Sequence, residues 1–172
     1  ESGARRTHPR VRPAWTGAKL AAPAYTARCT PGDNLAIHVG VTRAPTGSVL
    51  VADVGGLREL GYWGEVLTTA AEARGLAGLV IDGCVRDIEA LAAHGFPVFS
   101  TGLALPGATK SRPGATGGTV EIGDVTVDSG DWIVGDADGV VVIPAASLDT
   151  VLGAGRSRAG NEDTMFGRLR AG

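Results

Sequence analysis

A chain of 172 residues, 44% hydrophobic and 20% charged, has the makeup of one soluble globular domain, long enough to bury a sizeable core. A formal net charge of -2 gives no general electrostatic drive toward nucleic acid, and no apolar run is long enough to span a membrane. Two cysteines, Cys29 and Cys84, are too few for a disulfide framework and read as buried free thiols in a reducing cytoplasm.

Residues 1–16 are rich in Arg, Pro and Thr, and Pro9 and Pro13 disfavour regular structure. The sequence therefore predicts an extended N-terminal arm, with Arg5, Arg6, Arg10 and Arg12 solvated, followed by a single α/β domain over 17–172. Residues 19–28 read as a strand in which Pro23 implies an edge or a bulge. Pro31-Gly32-Asp33 is a turn, and Asp33 caps a helix that runs through His38 toward Arg43. Residues 48–53 form a short apolar strand of the kind buried on both faces.

A Gly-rich turn then opens a helix at Gly64-Glu65-Val66-Leu67, which ends near Arg74-Gly75. A strand over 78–82 leads to Arg86-Asp87, a short helix over 88–94 is closed by Gly95, and a strand follows over 96–100. Residues 101–118 form a Gly/Pro-rich loop carrying Lys110 and Arg112, long enough to be functional or mobile. From Thr119 the residues alternate between Gly-Asp, Ser-Gly and Asp-Gly pairs, predicting short antiparallel strands that end at 140–143. A terminal helix over 145–169 is interrupted at Gly153, Gly155 and Gly160. Helices alternating with strands, then hairpins, make an α/β fold with a mixed sheet or two sheets.

The stretch 61–87 gathers the chemistry. Twenty residues lie between Glu65 and Arg86, and a β-α-β-type unit brings Glu65, Arg86 and Asp87 to one end beside exposed amides. Each has a simple structural use: an acid in the first helical turn suits the helix dipole, and Asp87 can cap the next helix. Together they also make a metal and carboxylate site. The Val66 and Leu67 amides, unpaired in the first turn, can hold a substrate carboxylate. A hard cation such as Mg²⁺ needs one carboxylate directly and another through water, and Arg86 can neutralise a developing enolate oxygen.

Other patterns carry less. Asp53-Val54-Gly55-Gly56 lacks the glycine order of a dinucleotide site, Cys84 has no nearby second cysteine for zinc, and Ser100 has no nucleophile-elbow context. His8, His38 and His94 are dispersed, and His38 fits a packed or capped histidine. Asp124, Asp128, Asp131, Asp136 and Asp138 fall at turns, where Asp is common.

The run WGEVLTTAAEARGLAGLVIDGCVRD resembles the signature of the regulator of ribonuclease activity A-like family, which includes the 4-hydroxy-4-methyl-2-oxoglutarate / 4-carboxy-4-hydroxy-2-oxoadipate aldolases. PGDNLAIH, FPVFSTG and SGDWIVGDADGVVVIP resemble it too, so the likeness runs from about Gly17 to the last helix. It implies a swivelling β/β/α domain with mixed sheets and flanking helices, assembled as a homotrimer or a hexamer with active sites between subunits. It also implies a class II pyruvate aldolase that uses Mg²⁺ or Mn²⁺ on a small 2-oxo acid, with oxaloacetate decarboxylase side activity and no nucleic-acid or membrane partner.

The resemblance further implies the residue roles. Asp87 would bind the metal directly and Glu65 through water. Arg86 would hold the pyruvyl oxygen, and Gly64 with the Val66 and Leu67 amides would bind the pyruvate carboxylate. Asn34, His38 and Lys110 would line the pocket, and Glu162 would reach a neighbour's site. Two features depart from the pattern: Glu65 stands where well-studied aldolases carry Asp, and most of the family's leading helical segment is missing before the first strand. The alternatives are a non-catalytic regulator that binds ribonuclease E, or a divergent lyase or isomerase on another 2-oxo acid. That regulator type lacks the Asp of Arg-Asp, so Arg86-Asp87 favours catalysis; a methyltransferase glycine motif is absent.

Overall fold

Side chains of an extended strand point alternately to opposite faces, and in the central strands of this protein both faces are apolar. A computed structural model describes residues 3–171. Its strands are β1 (Arg5–Arg6), β2 (Arg12–Pro13), β3 (Leu20–Arg28), β4 (Val49–Asp53), β5 (Gly78–Ile81), β6 (Cys84–Val85), β7 (Val98–Ser100), β8 (Gly102–Leu103), β9 (Ala115–Thr116), β10 (Val120–Ile122), β11 (Val125–Val127), β12 (Trp132–Asp136) and β13 (Gly139–Ile143). The helices are α1 (Leu35–Arg43), α2 (Glu65–Ala73), α3 (Ile88–His94) and α4 (Leu148–Ala171).

Among the described residues the main sheet has nine strands, ordered β1-β13-β12-β3-β4-β5-β7-β2, with β9 also beside β3. The centre, β3-β4-β5-β7, is parallel, and the outer neighbours are antiparallel. Leu50, Ala52, Leu79, Ile81 and Val98 face a cluster built with α1, α2 and α3, through Ile37, Val41, Leu67, Ala71 and Leu91. Their neighbours Val49, Val51, Val80 and Phe99 face a second cluster with Val120, Ile122, Ile133 and Val142. Burial on both sides explains why β4 and β5 read as unbroken apolar runs.

Three expectations need correction. β3 is not an edge strand but lies inside the sheet, although its residues 20–23 register with β12 alone. Pro23 is the last residue registered to β12, opposite Trp132, and Ala24 is the first registered to β4, opposite Val49. A residue without an N–H is tolerated where the ladder passes from one neighbour to another.

The basic arm is extended but docked on the sheet: Arg5, Arg6 and Arg12 are exposed, whereas Arg10 is half-buried. β1 adds to β13, β2 adds to β7, and Val11 between them is buried. Arg10 donates from Nε and Nη2 to the two oxygens of Asp82 at 2.9 and 3.0 Å, and Nη2 also reaches Asp124 at 2.7 Å. Arg58 donates to the same Asp82 oxygens at 2.8 and 3.1 Å. Burial alone would raise the Asp82 pKa; the hydrogen bonds from Arg10, Arg58 and the Gly123 amide outweigh it and lower it to about 2.

The terminal helix α4 is continuous from Leu148 to Ala171, with Gly153, Gly155 and Gly160 inside it, and none of its residues is buried. The loop over 101–118 contributes β8 and β9, which pair with β6 and β3. Both cysteines are buried free thiols, and burial pushes the Cys29 pKa up to about 12.

Candidate functional site

The site begins with two aromatic anchors. Tyr62 and Trp63 are fully buried. The Trp63 indole N–H donates to the Thr68 hydroxyl at 2.7 Å, and its ring stacks with Phe96 at 6.1 Å. Replacing a buried aromatic of this kind by alanine typically costs about 3–5 kcal/mol, so the backbone they hold is firmly placed. Tyr62 N–H donates to the Cys84 carbonyl at 3.1 Å, and Arg86 N–H to the Trp63 carbonyl at 2.9 Å. Residues 62–64 thus run alongside β6 and deliver Gly64 to the start of α2, next to Arg86 and Asp87.

Asp87 occupies the position before α3 but does not cap it with its side chain. Its backbone is left-handed, with φ 58 and ψ 40, which is uncommon for a non-glycine residue. This turns the carboxylate toward the other helix. Oδ2 accepts the Glu65 amide at 3.1 Å and lies 3.6 Å from Arg86 Nε. Gly64 is required by this approach, because a Cβ there would collide with Asp87 Oδ2. The next amides of α2, Val66 and Leu67, have no partner within the helix. Val66 is exposed, whereas the Leu67 side chain is buried. A hollow of about 200 Å³ opens beside Arg86 and Asp87, lined also by Val85, Ile88, Leu103 and Leu105. That is the scale of a small organic acid. A larger hollow of about 320 Å³ lies between the arm and β13 and contains none of the predicted site residues.

Asn34 and His38 form a second group, one turn apart at the start of α1. Asn34 Nδ2 donates to the Tyr62 carbonyl at 2.8 Å, tying α1 to the anchor segment. Asn34 Oδ1 and His38 Nε2 are buried without a partner among the described residues, and such atoms are normally satisfied by water or ligand. Burial, then the positive charge of Lys110, lower the His38 pKa, against the opposing pull of Asp33. Asp33 is one residue before the N-cap; Oδ1 accepts the Leu35 amide at 2.9 Å, while Oδ2 binds the Thr109 hydroxyl and the Ser111 and Arg112 amides. Burial would raise its pKa, but these bonds hold it well below the usual carboxylate range. Asp33 thereby fixes the loop that presents Lys110. The loop also approaches the first group: Gly61 N–H donates to the Pro106 carbonyl at 2.8 Å, and a Cβ on Gly107 would stand 3.6 Å from Arg86 Nη1.

Glu162 lies on α4, paired at 2.7 Å with Arg158 one turn away. A residue not singled out by sequence does lie near Glu65: His94, whose Nε2 is 3.8 Å from Glu65 Oε1. The signal was the seven-residue spacing shared by Glu65 and Glu72 on α2 and by Asp87 and His94 along α3.

Among the described residues there is no group of three or more His, Cys, Asp or Glu side chains able to hold a metal. The donors here do not fit a closed four-ligand zinc centre. Asp87, with Glu65 beside it, fits Mg²⁺ or Mn²⁺, hard cations that need one or two carboxylates and keep several waters.

The RraA-like family profile, described as aldolase/RraA, matches residues 1–142. A candidate 4-hydroxy-4-methyl-2-oxoglutarate aldolase from Halalkalibacterium halodurans is 33% identical over 153 residues, 89% of this chain and 73% of that protein. An uncharacterised protein of Pseudomonas syringae pv. tomato superposes with a TM-score of 0.84 at 28% identity, covering 97% of this chain and 81% of its own. Streptomyces coelicolor RraAS2, described as an unusual member of the RNase ES inhibitor RraA protein family, gives 0.80 at 29% identity, covering 94% and 84%. No described helix is long and apolar enough to cross a membrane.

Proposed function

The chain belongs to the aldolase/RraA family, and we propose that it is a divalent-metal-dependent carbon–carbon lyase that cleaves 4-hydroxy-2-oxo acids, such as 4-hydroxy-4-methyl-2-oxoglutarate, to pyruvate and also decarboxylates oxaloacetate. The observation that carries this is the left-handed Asp87, whose carboxylate is turned onto the first amide of α2 beside Arg86.

Asp87 would hold Mg²⁺ or Mn²⁺ directly and Glu65 would hold it through water; when bound, the ion polarises the 2-oxo group. The amides of Val66 and Leu67, at the positive end of α2, bind the pyruvyl carboxylate next to Gly64, whose missing Cβ lets Asp87 approach the same end. Arg86 donates to the 2-oxo oxygen and stabilises the negative charge that develops there. Asn34, His38 and Lys110 bind the distal part of the substrate, which supplies partners for the two unpaired buried atoms. Glu65, through water, accepts the 4-hydroxyl proton. The C3–C4 bond then breaks, its electrons pass into the pyruvate enolate, and C3 is reprotonated. Oxaloacetate reaches the same enolate by losing carbon dioxide.

The exposed apolar residues of α4, Leu152, Met165, Phe166 and Leu169, support assembly as a homotrimer or hexamer, and the free buried thiols suit a cytoplasmic setting. The likeness to RraAS2 favours one second reading, a protein-binding regulator of a ribonuclease. Pyruvate release from oxaloacetate and from 4-hydroxy-4-methyl-2-oxoglutarate, with Mg²⁺ and after chelation, separates the two. Turnover that chelation abolishes is expected; no turnover of either acid with metal present sinks the lyase.

A further inference from the structure

Two stretches reach the candidate site side by side. One runs from Arg58 to Glu65, the other from Asp82 to Asp87. They lie parallel, with Trp63 bridged to Val85. Cys84 N–H donates to the Arg58 carbonyl at 2.8 Å, Tyr62 N–H to the Cys84 carbonyl at 3.1 Å, and Arg86 N–H to the Trp63 carbonyl at 2.9 Å. At the far end the Glu65 amide donates to Asp87 Oδ2 at 3.1 Å. The ladder is short: β6 has two residues, and residues 54–60 form neither helix nor strand. A slip of one residue would carry Arg86 about 3.3 Å along Gly64 and turn its side chain to the other face.

The near end of the ladder is closed by side chains. Arg58 donates from Nε and Nη2 to the two oxygens of Asp82 at 2.8 and 3.1 Å. A forked pair of this kind fixes direction as well as distance. The Asp82 side chain is only 6% exposed, so it is packed in place. Arg58 therefore grips the second stretch twice, by its guanidinium at Asp82 and by its carbonyl at Cys84. Arg10 binds the same two oxygens at 2.9 and 3.0 Å, but it comes from the arm and belongs to neither stretch.

We propose that the Arg58–Asp82 pair is a register clamp, and that Arg58 is a positioning residue that sets where Arg86 and Asp87 stand against Gly64 and the amides of α2. What that register serves rests on the lyase function proposed above.

The test compares Arg58→Ala with Arg10→Ala on the full chain. Each leaves Asp82 one arginine and the Gly123 amide, so both variants are expected to fold with similar melting temperatures. Amide hydrogen exchange of the metal-free protein, read by mass spectrometry over 58–65 and 82–87, is expected to quicken about tenfold in Arg58→Ala alone. With Mg²⁺ present, kcat for pyruvate release from oxaloacetate is expected to fall about 10–100-fold in Arg58→Ala, as for an ångström-scale misplacement, and to be unchanged in Arg10→Ala. KM should move less than kcat, because the pyruvyl carboxylate is bound by α2 alone while the chemistry needs both stretches. Arg58→Lys keeps the charge without the fork; it should melt like the unmodified protein yet recover only part of kcat, and it serves if Arg58→Ala does not fold. Equal losses in Arg58→Ala and Arg10→Ala, or faster exchange with kcat unchanged, overturn this inference alone. No pyruvate release by the unmodified protein overturns the lyase reading and this inference together.

Discussion

The Glu65 amide donates to the Asp87 carboxylate at 3.1 Å, so the first N–H of one helix is satisfied by the acid that precedes another. The contact exists because Gly64 has no Cβ. Gly64→Ala is expected to keep the fold, at a stability cost of about 1 kcal/mol for a poorer N-cap. It should displace Asp87 and lower pyruvate release by about 10–100-fold, the usual effect of an ångström-scale misplacement. Thermal melts beside steady-state kinetics check both halves of this expectation.

Arg86→Ala and Asp87→Ala should act on chemistry more than on stability, since both side chains are part-exposed. Loss of one charge-stabilising donor costs about 10²–10³ in kcat. Arg86→Ala is therefore expected to fall in that range with Mn²⁺ still bound, and Asp87→Ala to lose Mn²⁺ binding as well. Calorimetric titration with Mn²⁺ distinguishes the two.

Asn34→Ala should raise KM for substrates with a 4-hydroxyl, from which Oδ1 can accept, more than it lowers kcat. Its Oδ1 is one of the two buried atoms without a partner, while Nδ2 holds the Tyr62 carbonyl. The comparison of oxaloacetate with a longer 4-hydroxy-2-oxo acid reads this directly. An equal change in KM for both would place Asn34 outside the distal subsite.

Acid should release the N-terminal arm. Asp82 has its folded-state pKa lowered to about 2 from an ordinary 3.8, so its ionised form stabilises the fold. That contribution, about 2 kcal/mol, is fully present above about pH 4 and is lost as the pH falls through about 2. Urea midpoints should drop across that window, and Asp82→Asn, with no charge to lose, should flatten the dependence there. Arg10 and Arg58 remain charged throughout, so the carboxylate alone sets the sign.

In α4, the Cβ positions of Gly153 and Gly155 face open space within the chain. Gly153→Ala and Gly155→Ala should each add about 0.8–1 kcal/mol of helix stability, seen as increased helical circular dichroism. Loss of the native oligomer, read by light scattering, would instead identify those glycines as contact positions between subunits.

The α/β order was legible because strands buried on both faces leave apolar runs such as VLVAD and GLVI, bounded by glycine. The meeting of Glu65, Arg86 and Asp87 was legible because a helix and a strand of fixed rise return the chain to the same end. The Asp82 cluster was not: Arg10, Arg58 and Asp124 converge from separate parts of the chain, and each alone looks like a surface charge. Pro23 misled because its local penalty is real, but a strand that changes partners removes the ladder bond it would break. The glycines of α4 misled because helix propensity counts the cost of each residue and ignores the continuity of the hydrogen bonds around it.

That change of partners in β3 also sets an order of events during synthesis. Residues 24–28 can pair with β4 soon after both leave the ribosome, but Pro23 waits for Trp132. Until then the first half of β3 is an open strand edge, a template for association with other chains. Fragments ending before β12 should accumulate as aggregates, and the shortest C-terminal truncation worth expressing ends after Ile143, where the last strand of the sheet is complete.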